Sequence, residues 1–324
     1  MKNKNYWKQY PIVTNPDDIE KVIRKEYFVP EDKNCELLTM KHSQNNSCLL
    51  ISMGSGGHAY VFAELAYLIY KKGTDVFIMP KHGPHTISEL VIRHEDAVKY
   101  LQKFYGENIH IYSEGLGGLS VFYLALKGIK IKSFLFENSP AILTESAFHH
   151  AMKMDGKAGR RRAFLLPLFK LLVKILPNLL IPIRTYLAWH EVIDKDLKNY
   201  EKEEKLVKAY DYDPDFDKSY PLKAVMSLVD TPPPGNLENL NIPTLFIFAK
   251  RGLIPVYFKT LFERLTMKEK HLEEVDGGVF WMLSNPEKAT EIIIKWINNV
   301  KNKNIEAGIK PILNDTSRIL NNEI

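Results

Sequence analysis

The stretch from Asn108 to Leu126 constrains the fold of this chain more than any other. A short apolar run at 109–112 is followed by three closely spaced glycines, Gly115, Gly117 and Gly118, and then by an apolar run with good helix formers. Apolar runs of these lengths, separated by glycines, are typical of a strand, a tight turn and a helix. We therefore expect the chain to reverse direction sharply between residues 113 and 117.

Similar units recur on both sides of this stretch. Further strands are predicted at 36–41, 48–53, 75–79, 131–136, 243–248 and 271–275, and helices at 62–72, 88–105, 256–265 and 286–300. Strands that alternate with helices of this length imply right-handed crossovers and a mostly parallel, doubly wound α/β sheet with helices on both faces. Ligands in such folds bind at the carboxyl ends of the strands, where the glycine-rich turn also lies.

The strand pattern stops near residue 140 and resumes at Pro243. The predicted organisation is an N-terminal lead-in at 1–34, a core at 35–140 and 241–300, a helical cap inserted at 141–240, and a C-terminal tail at 301–324. Within the cap, residues 163–183 are rich in leucine but interrupted by three prolines. Because proline breaks or kinks a helix, short kinked helices are predicted there.

Composition restricts the class of protein further. With 45% hydrophobic and 26% charged residues among 324, the chain is typical of soluble globular proteins. A net charge of +5 is too small to indicate nucleic-acid binding. Only Cys35 and Cys48 occur, and no metal-ligand spacing is present, so we expect no disulfide framework, no metal and no cofactor. The N-terminal segment lacks the apolar centre of a signal peptide, which predicts a cytoplasmic protein.

The turn at 113–117 has the outline of a nucleophile elbow. In such an elbow a strained turn lifts one side chain above the sheet, with small residues two positions before and after it. Ser113 and Gly117 fit these flanking positions and leave Gly115 at the apex. In the other register Ser113 is the apex, but the β-branched Ile111 then occupies a crowded position. The first register is favoured, and its apex residue has no side chain.

On these residues the chain resembles the α/β-hydrolase family, and within it the branch of lipases and serine aminopeptidases. The elbow of that branch reads G-H-S-x-G-G, where this chain has Ser-Glu-Gly-Leu-Gly-Gly at 113–118. The resemblance covers residues 36–300 and implies an aspartate after the strand that starts at Pro243, and a histidine after the next strand. Gly252 (or Arg251) and Val279 stand there instead. The resemblance therefore predicts a protein of hydrolase fold that lacks the catalytic triad.

The resemblance also indicates where a ligand would lie. Relatives carry a His-Gly loop after the strand that corresponds to the one predicted at 48–53. This chain has Met-Gly-Ser-Gly-Gly-His at 53–58 instead. Backbone N–H groups of Ser55 and Leu116 are placed to form an anion-binding notch. The predicted ligand contacts are Ser55, Gly56, His58, Ser113, Glu114, Leu116 and Trp281.

Other groups near the elbow leave an active enzyme open as the alternative. Ser113 could serve as a nucleophile. Glu114 could act as a base if burial raised its pKa, or could simply bond to neighbouring backbone. His82 and His85 could exchange protons near neutral pH, or could be turn residues beside Gly83 and Pro84. This alternative is a hydrolase of esterase, lipase or thioesterase type, or a lyase.

The expected partner is a small apolar ligand with an acyl or carboxylate group, or another protein, bound under the cap. Between Gly156 and His190 there is no Asp or Glu, whereas seven Lys and Arg side chains occur. Residues 157–184 could therefore cover an apolar pocket or bind to an anionic membrane surface. Alternatively, they could pack on the core with their basic side chains facing outward. The sequence leaves the oligomeric state open.

Overall fold

The computed structural model describes residues 6, 10, 13–30, 32–139, 167–183, 201–237, 240–251 and 255–301. Ten strands are present in this part of the chain: β1 (Arg24–Tyr27), β2 (Glu36–Met40), β3 (Cys48–Ser52), β4 (Asp75–Ile78), β5 (Ile109–Glu114), β6 (Ser133–Glu137), β7 (Leu180–Pro182), β8 (Ser219–Pro221), β9 (Thr244–Ala249) and β10 (Lys270–Val275). The α-helices that position these strands are α1 (Pro16–Val22), α2 (Ala63–Lys71), α3 (Ile87–Tyr105), α4 (Gly115–Leu126), α5 (167–175), α6 (Glu201–Tyr212), α7 (Leu222–Asp230), α8 (Pro255–Arg264), α9 (Trp281–Ser284) and α10 (286–301).

Eight of the strands form one sheet in the order β1-β2-β4-β3-β5-β6-β9-β10. Strand β2 pairs antiparallel with β1 and β4, and the remaining neighbours are parallel. Strands β3, β4, β5, β6 and β9 are buried at every position, as expected for parallel strands covered on both faces. The predicted doubly wound α/β fold is confirmed.

Helices cover the sheet on both sides and each side has its own apolar core. On one face Leu101 of α3, Phe122 of α4 and Leu261 of α8 pack together with the sheet. On the other face Ile19 of α1 and Ala66 of α2 share a core with residues of α10. Because the parallel strands all point the same way, the loops after β3, β5, β6, β9 and β10 meet at one edge.

Two regions differ from their predictions. The lead-in at 1–34 contributes the edge strand β1, which the sequence did not reveal because Arg-Lys-Glu-Tyr has no apolar alternation and is largely exposed. In the leucine-rich segment residues 167–175 are helical, as predicted, but residues 180–182 form a strand that pairs antiparallel with β8. Proline is tolerated in β7 because a two-stranded ribbon leaves outer positions free of ladder bonds. The tail at 302–324 lies outside the described residues.

The described part of 157–184 exposes several large aliphatic side chains. They belong to α5 and to the residues that follow it: Leu168, Leu171, Ile175, Leu176, Leu179 and Leu180. No described helix is both long enough and apolar enough to cross a bilayer. Whether 157–184 covers a pocket, contacts a membrane surface or packs on the core stays a prediction.

Candidate functional site

The chain turns from β5 into α4 at Gly115. This residue has a φ of +52°, a backbone conformation that glycine adopts without the steric cost a Cβ would bring. The turn is tied to the loop after β3, because the Gly117 N–H donates to the Met53 carbonyl oxygen at 3.0 Å. A strand, a strained residue and a helix in this order match the geometry of a nucleophile elbow. The structure thus places Gly115, and no reactive side chain, at its apex.

The loop after β3 packs on this turn with almost no space between the two backbones. A Cβ added to Gly115 would lie 3.1 Å from the Gly54 Cα. A Cβ added to Gly117 would lie 2.4 Å from both the Met53 carbonyl oxygen and the Ser52 Oγ. Close approach therefore excludes a side chain at Gly117, whereas at Gly115 the contact with the Gly54 Cα is tight and the positive φ disfavours other residues.

Ser113 lies in β5, before the turn, and its side chain is fully buried. Its Oγ donates to the Leu135 carbonyl oxygen of the adjacent strand at 3.4 Å. Among the described residues no imidazole forms a hydrogen bond with this hydroxyl. The structure does not bring Ser113 together with a histidine, so the arrangement needed for a serine nucleophile is not formed by the described residues.

Glu114 is the polar side chain closest to the apex in sequence, and it is only 7% exposed. Its Oε2 accepts a hydrogen bond from the Gly54 N–H at 2.6 Å. Burial raises the pKa of this carboxyl to about 7, although the Gly54 hydrogen bond acts in the opposite direction. Both sequence predictions for Glu114, a raised pKa and a bond to nearby backbone, agree with this environment. A carboxyl with a pKa near neutral can exchange protons under physiological conditions.

The predicted base position is apolar. Val279 lies in the turn after β10 and is buried. Trp281 begins α9 just beyond it and packs against Gly277, where a Cβ would come within 2.2 Å of the indole. Trp281 is 3% exposed, so it belongs to the core more than to a ligand-contacting surface. Val279 itself has no group that can accept a proton from a nucleophile.

Gly252, the predicted acid position, lies outside the described residues. Arg251 immediately precedes it, and its backbone N–H donates to the Gly277 carbonyl oxygen at 3.1 Å. Its guanidinium also lies 3.6 Å from the Asp276 carboxylate. The turns after β9 and β10 are therefore held together.

His82 and His85 face the loops and not the apex. The Nε2 of His82 donates to the Met53 carbonyl oxygen at 2.5 Å, and burial lowers the pKa of His82 to about 4. Burial also lowers the pKa of His85, which lies 3.9 Å from Glu89 at the start of α3. His82 is therefore neutral at pH 7 and supports the loop after β3 by its hydrogen bond.

His58 belongs to a buried polar cluster that the sequence did not reveal. Its Nε2 lies 3.0 Å from the Asp213 Oδ2, and Tyr6 donates to the same oxygen at 2.8 Å. Tyr10 also donates to Asp213. Because Asp213 follows α6 and the tyrosines precede α1, the cluster joins the insertion, the N-terminal segment and the loop after β3. No short-range pattern could have predicted it, since His58 and Asp213 are 155 residues apart.

The remaining predicted contacts lie on the same loop and turn. Gly56 is buried, and its N–H donates to the Tyr220 hydroxyl at 2.8 Å. Ser55 and Leu116 are partly exposed. In the part of the chain that the structure covers, neither of their backbone N–H groups donates a hydrogen bond outside its own element. The anion-binding notch of Ser55 and Leu116 stays a prediction.

Hydrogen bonds between serine and histidine do occur elsewhere in the described part, but they are buried in the core. Ser52 Oγ lies 2.7 Å from His94 Nε2, and Ser133 Oγ lies 2.7 Å from His110 Nδ1. All four side chains are at most 1% exposed, and burial lowers the pKa of each histidine to about 3. They stabilise packing and offer no substrate access. Among the described residues no cluster suited to holding a metal ion is present.

No family model matches the sequence, and no curated protein matches it either. Solved structures do match. The monoacylglycerol lipase of Paleococcus ferrophilus superimposes with a TM-score of 0.57 at 19% identity, covering 78% of this chain and 94% of that one. A thermostable carboxyl esterase from Bacillus coagulans gives a TM-score of 0.62 at 13% identity, covering 86% and 99%. The chain has the α/β-hydrolase fold.

Carboxylesterase CesB of Bacillus subtilis is a further similar structure, with a TM-score of 0.53 at 12% identity, covering 90% of this chain and 94% of that one. Because one fold hosts many activities, likeness at these identities shows the α/β-hydrolase fold of this protein and leaves its reaction to be argued from the site.

Proposed function

We propose that this α/β-hydrolase-fold protein does not hydrolyse esters through a serine triad and instead binds a small apolar ligand beneath its inserted segment. The observation that carries this proposal is the turn itself. Gly115 occupies the apex at a φ of +52°, and the nearest serine, Ser113, is buried in the strand with its hydroxyl bonded to the neighbouring strand. Neither Gly115 nor Ser113 therefore offers an oxygen at the apex, where a serine hydrolase attacks its substrate carbonyl.

The loss of catalytic rate expected without a nucleophile and a base supports a binding role. Removing the nucleophile or base from a serine hydrolase lowers kcat on the order of 10⁶-fold, and the oxyanion hole and binding alone retain roughly 10³ to 10⁴ over water. In this protein Gly115 offers no nucleophile and Val279 offers no base, and Gly252 stands at the expected acid position. The backbone donors of Ser55 and Leu116 can still bind a polar group.

An active hydrolase or lyase is the second candidate, and the comparisons favour it because the similar solved structures include lipases and esterases. Within the site, one group supports it. Glu114 is buried and its pKa is raised to about 7 by desolvation, which suits a general base near neutral pH. Such an enzyme would use Glu114 to activate water or to remove a proton, with the backbone donors stabilising negative charge.

A panel of p-nitrophenyl esters from acetate to palmitate separates the two candidates. We expect the purified protein to hydrolyse none of them above the background rate between pH 6 and pH 9, because no nucleophile projects from the turn. Native mass spectrometry of the same preparation should instead show a bound small molecule that is released on denaturation. Turnover that is lost in Glu114→Gln, with the fold intact by circular dichroism, would establish the enzymatic candidate in place of the binding one.

A gain-of-function variant checks the positions of the missing triad. We expect the combined substitutions Gly115→Ser, Gly252→Asp and Val279→His to produce measurable ester hydrolysis, whereas Val279→His alone should produce none. Absence of activity in a folded triple variant would contradict the assignment of these three positions.

A further inference from the structure

The Glu114 carboxyl group lies directly beside the loop that the ligand would contact. Its Oε2 accepts the Gly54 N–H at 2.6 Å, and a Cβ on Gly54 would come within 2.4 Å of that oxygen. The carboxyl group is therefore pressed against the loop after β3 with no room between them. A backbone donor that could have bound an anionic ligand is already occupied by an acidic group of the protein.

No cation of the described chain neutralises this carboxyl. Among the described residues no Lys, Arg or His forms an ion pair with Glu114, and Oε1 accepts no hydrogen bond from any of them. Burying a carboxylate without a partner is costly, whereas a paired and hydrogen-bonded one is tolerated. The 7% of Glu114 that remains exposed leaves this second oxygen as a contact point for an incoming group.

A second carboxyl group lies on the next strand. Glu137 is the register partner of Glu114 between β5 and β6, so the two side chains point to the same face of the sheet. Glu137 is fully buried and accepts a hydrogen bond from the Tyr112 hydroxyl. An anionic head group would lie beside two carboxyl groups here and would compete with Glu114 for the Gly54 N–H.

We infer that the head group bound at the Gly115 turn is a protonated amine that donates to Glu114 Oε1, and not a carboxylate. This inference rests on the proposed function, since it names the chemistry of the apolar ligand proposed above. An alkyl amine would place its chain under the insertion and its ammonium group against the carboxyl.

Isothermal titration calorimetry with decylamine and with decanoate tests the inference, because the two ligands share a chain length and differ in head group. At pH 8 we expect the amine to bind at least about tenfold more tightly than the carboxylate, which corresponds to about 1.4 kcal/mol. In Glu114→Gln, which keeps an acceptor for Gly54, the preference should fall to about twofold or less. Glu107→Gln serves as the control, since Glu107 is an exposed acid on the loop before β5 and should leave the preference unchanged.

Each result has a distinct meaning. If neither ligand binds the wild-type protein, the proposed function fails. If decanoate binds as tightly as decylamine, or if Glu114→Gln keeps the full amine preference, an apolar ligand site stands but the amine assignment is overturned.

The pH dependence of amine binding gives a second readout. Decylamine stays protonated throughout the range from pH 6 to pH 8, and burial raises the pKa of Glu114 to about 7. Tyr112 on the same strand and Glu137 on β6 lie beside it. His82, which donates to the Met53 carbonyl oxygen of the facing loop, stays neutral in this range because burial lowers its pKa to about 4. Affinity should therefore rise between pH 6 and pH 8 as Glu114 loses its proton, by up to about tenfold per pH unit below the pKa. In Glu114→Gln the affinity should be flat over the same range, and a flat profile in the wild type would count against the inference.

Discussion

Replacing Gly117 with alanine is expected to lower the free energy of unfolding by about 2 kcal/mol or more. The new Cβ would lie 2.4 Å from the Met53 carbonyl oxygen and 2.4 Å from the Ser52 Oγ, and 2.9 Å from the Ser52 carbonyl carbon. Two of these atoms are backbone, one at the end of β3 and one at the start of the loop after it, so they cannot rotate away as a side-chain end would. The hydrogen bond from the Gly117 N–H to Met53 would also be lost or lengthened. Alanine gains about 1 kcal/mol in helix propensity over glycine, but this gain is smaller than the cost of the clash.

Urea denaturation of Gly117→Ala and Gly57→Ala measures the effect against a matched control. Gly57 lies in the same loop, but the nearest atoms to a Cβ there are at 3.4 Å, an ordinary contact. Gly57→Ala should therefore stay within about 0.5 kcal/mol of the wild type. If the two variants were equally stable, the turn and the loop would not be packed as closely as described.

Asp213→Ala is expected to be the most damaging single substitution in the polar clusters, lowering the free energy of unfolding by about 3 kcal/mol or more. Asp213 is fully buried and accepts hydrogen bonds from Tyr6 and Tyr10 while lying 3.0 Å from His58. Removing its carboxylate leaves several buried polar groups without their shared acceptor. Since these groups belong to three separate parts of the chain, the insertion should also loosen from the loop after β3.

Asp230→Ala is the control for this substitution. Asp230 pairs with Lys170 at 2.9 Å, but both side chains are 40% or more exposed, and exposed pairs contribute about 0 to 1 kcal/mol. Hydrogen exchange should show faster exchange of α6 amides in Asp213→Ala and unchanged exchange in Asp230→Ala. Wild-type protection of α6 in Asp213→Ala would mean that the cluster does not hold the insertion in place.

The fold was predictable from sequence because its signals are local. Apolar runs such as 48–53 and 109–112 are long enough to identify strands that are buried on both faces, and the glycines at 115, 117 and 118 marked the turn. Strand β1 was not predicted, because an edge strand that is mostly exposed needs no apolar alternation. Strands β7 and β8, each three residues long, are too short to leave a periodic signal.

The site was only partly predictable, because local sequence patterns do not specify contacts between distant residues. The position of Gly115 follows from residues two places away on each side, so the motif alone locates it. The contact between Glu114 and Gly54 joins residues 60 apart, and the one between His58 and Asp213 joins residues 155 apart. Such contacts depend on how the strands are ordered in the sheet, which no local pattern specifies. They also determine which backbone N–H groups near the turn are already hydrogen-bonded.

Intact-mass spectrometry after treatment with a fluorophosphonate tests the central claim most directly, namely that the elbow presents no nucleophile. Fluorophosphonates add covalently to activated serines, and a working serine esterase provides the positive control. Because Gly115 occupies the apex and Ser113 is buried, we expect the mass of the wild-type protein to stay unchanged after prolonged exposure at pH 8. A stoichiometric adduct that peptide mapping places on Ser113, or on any other serine of the chain, would contradict the claim.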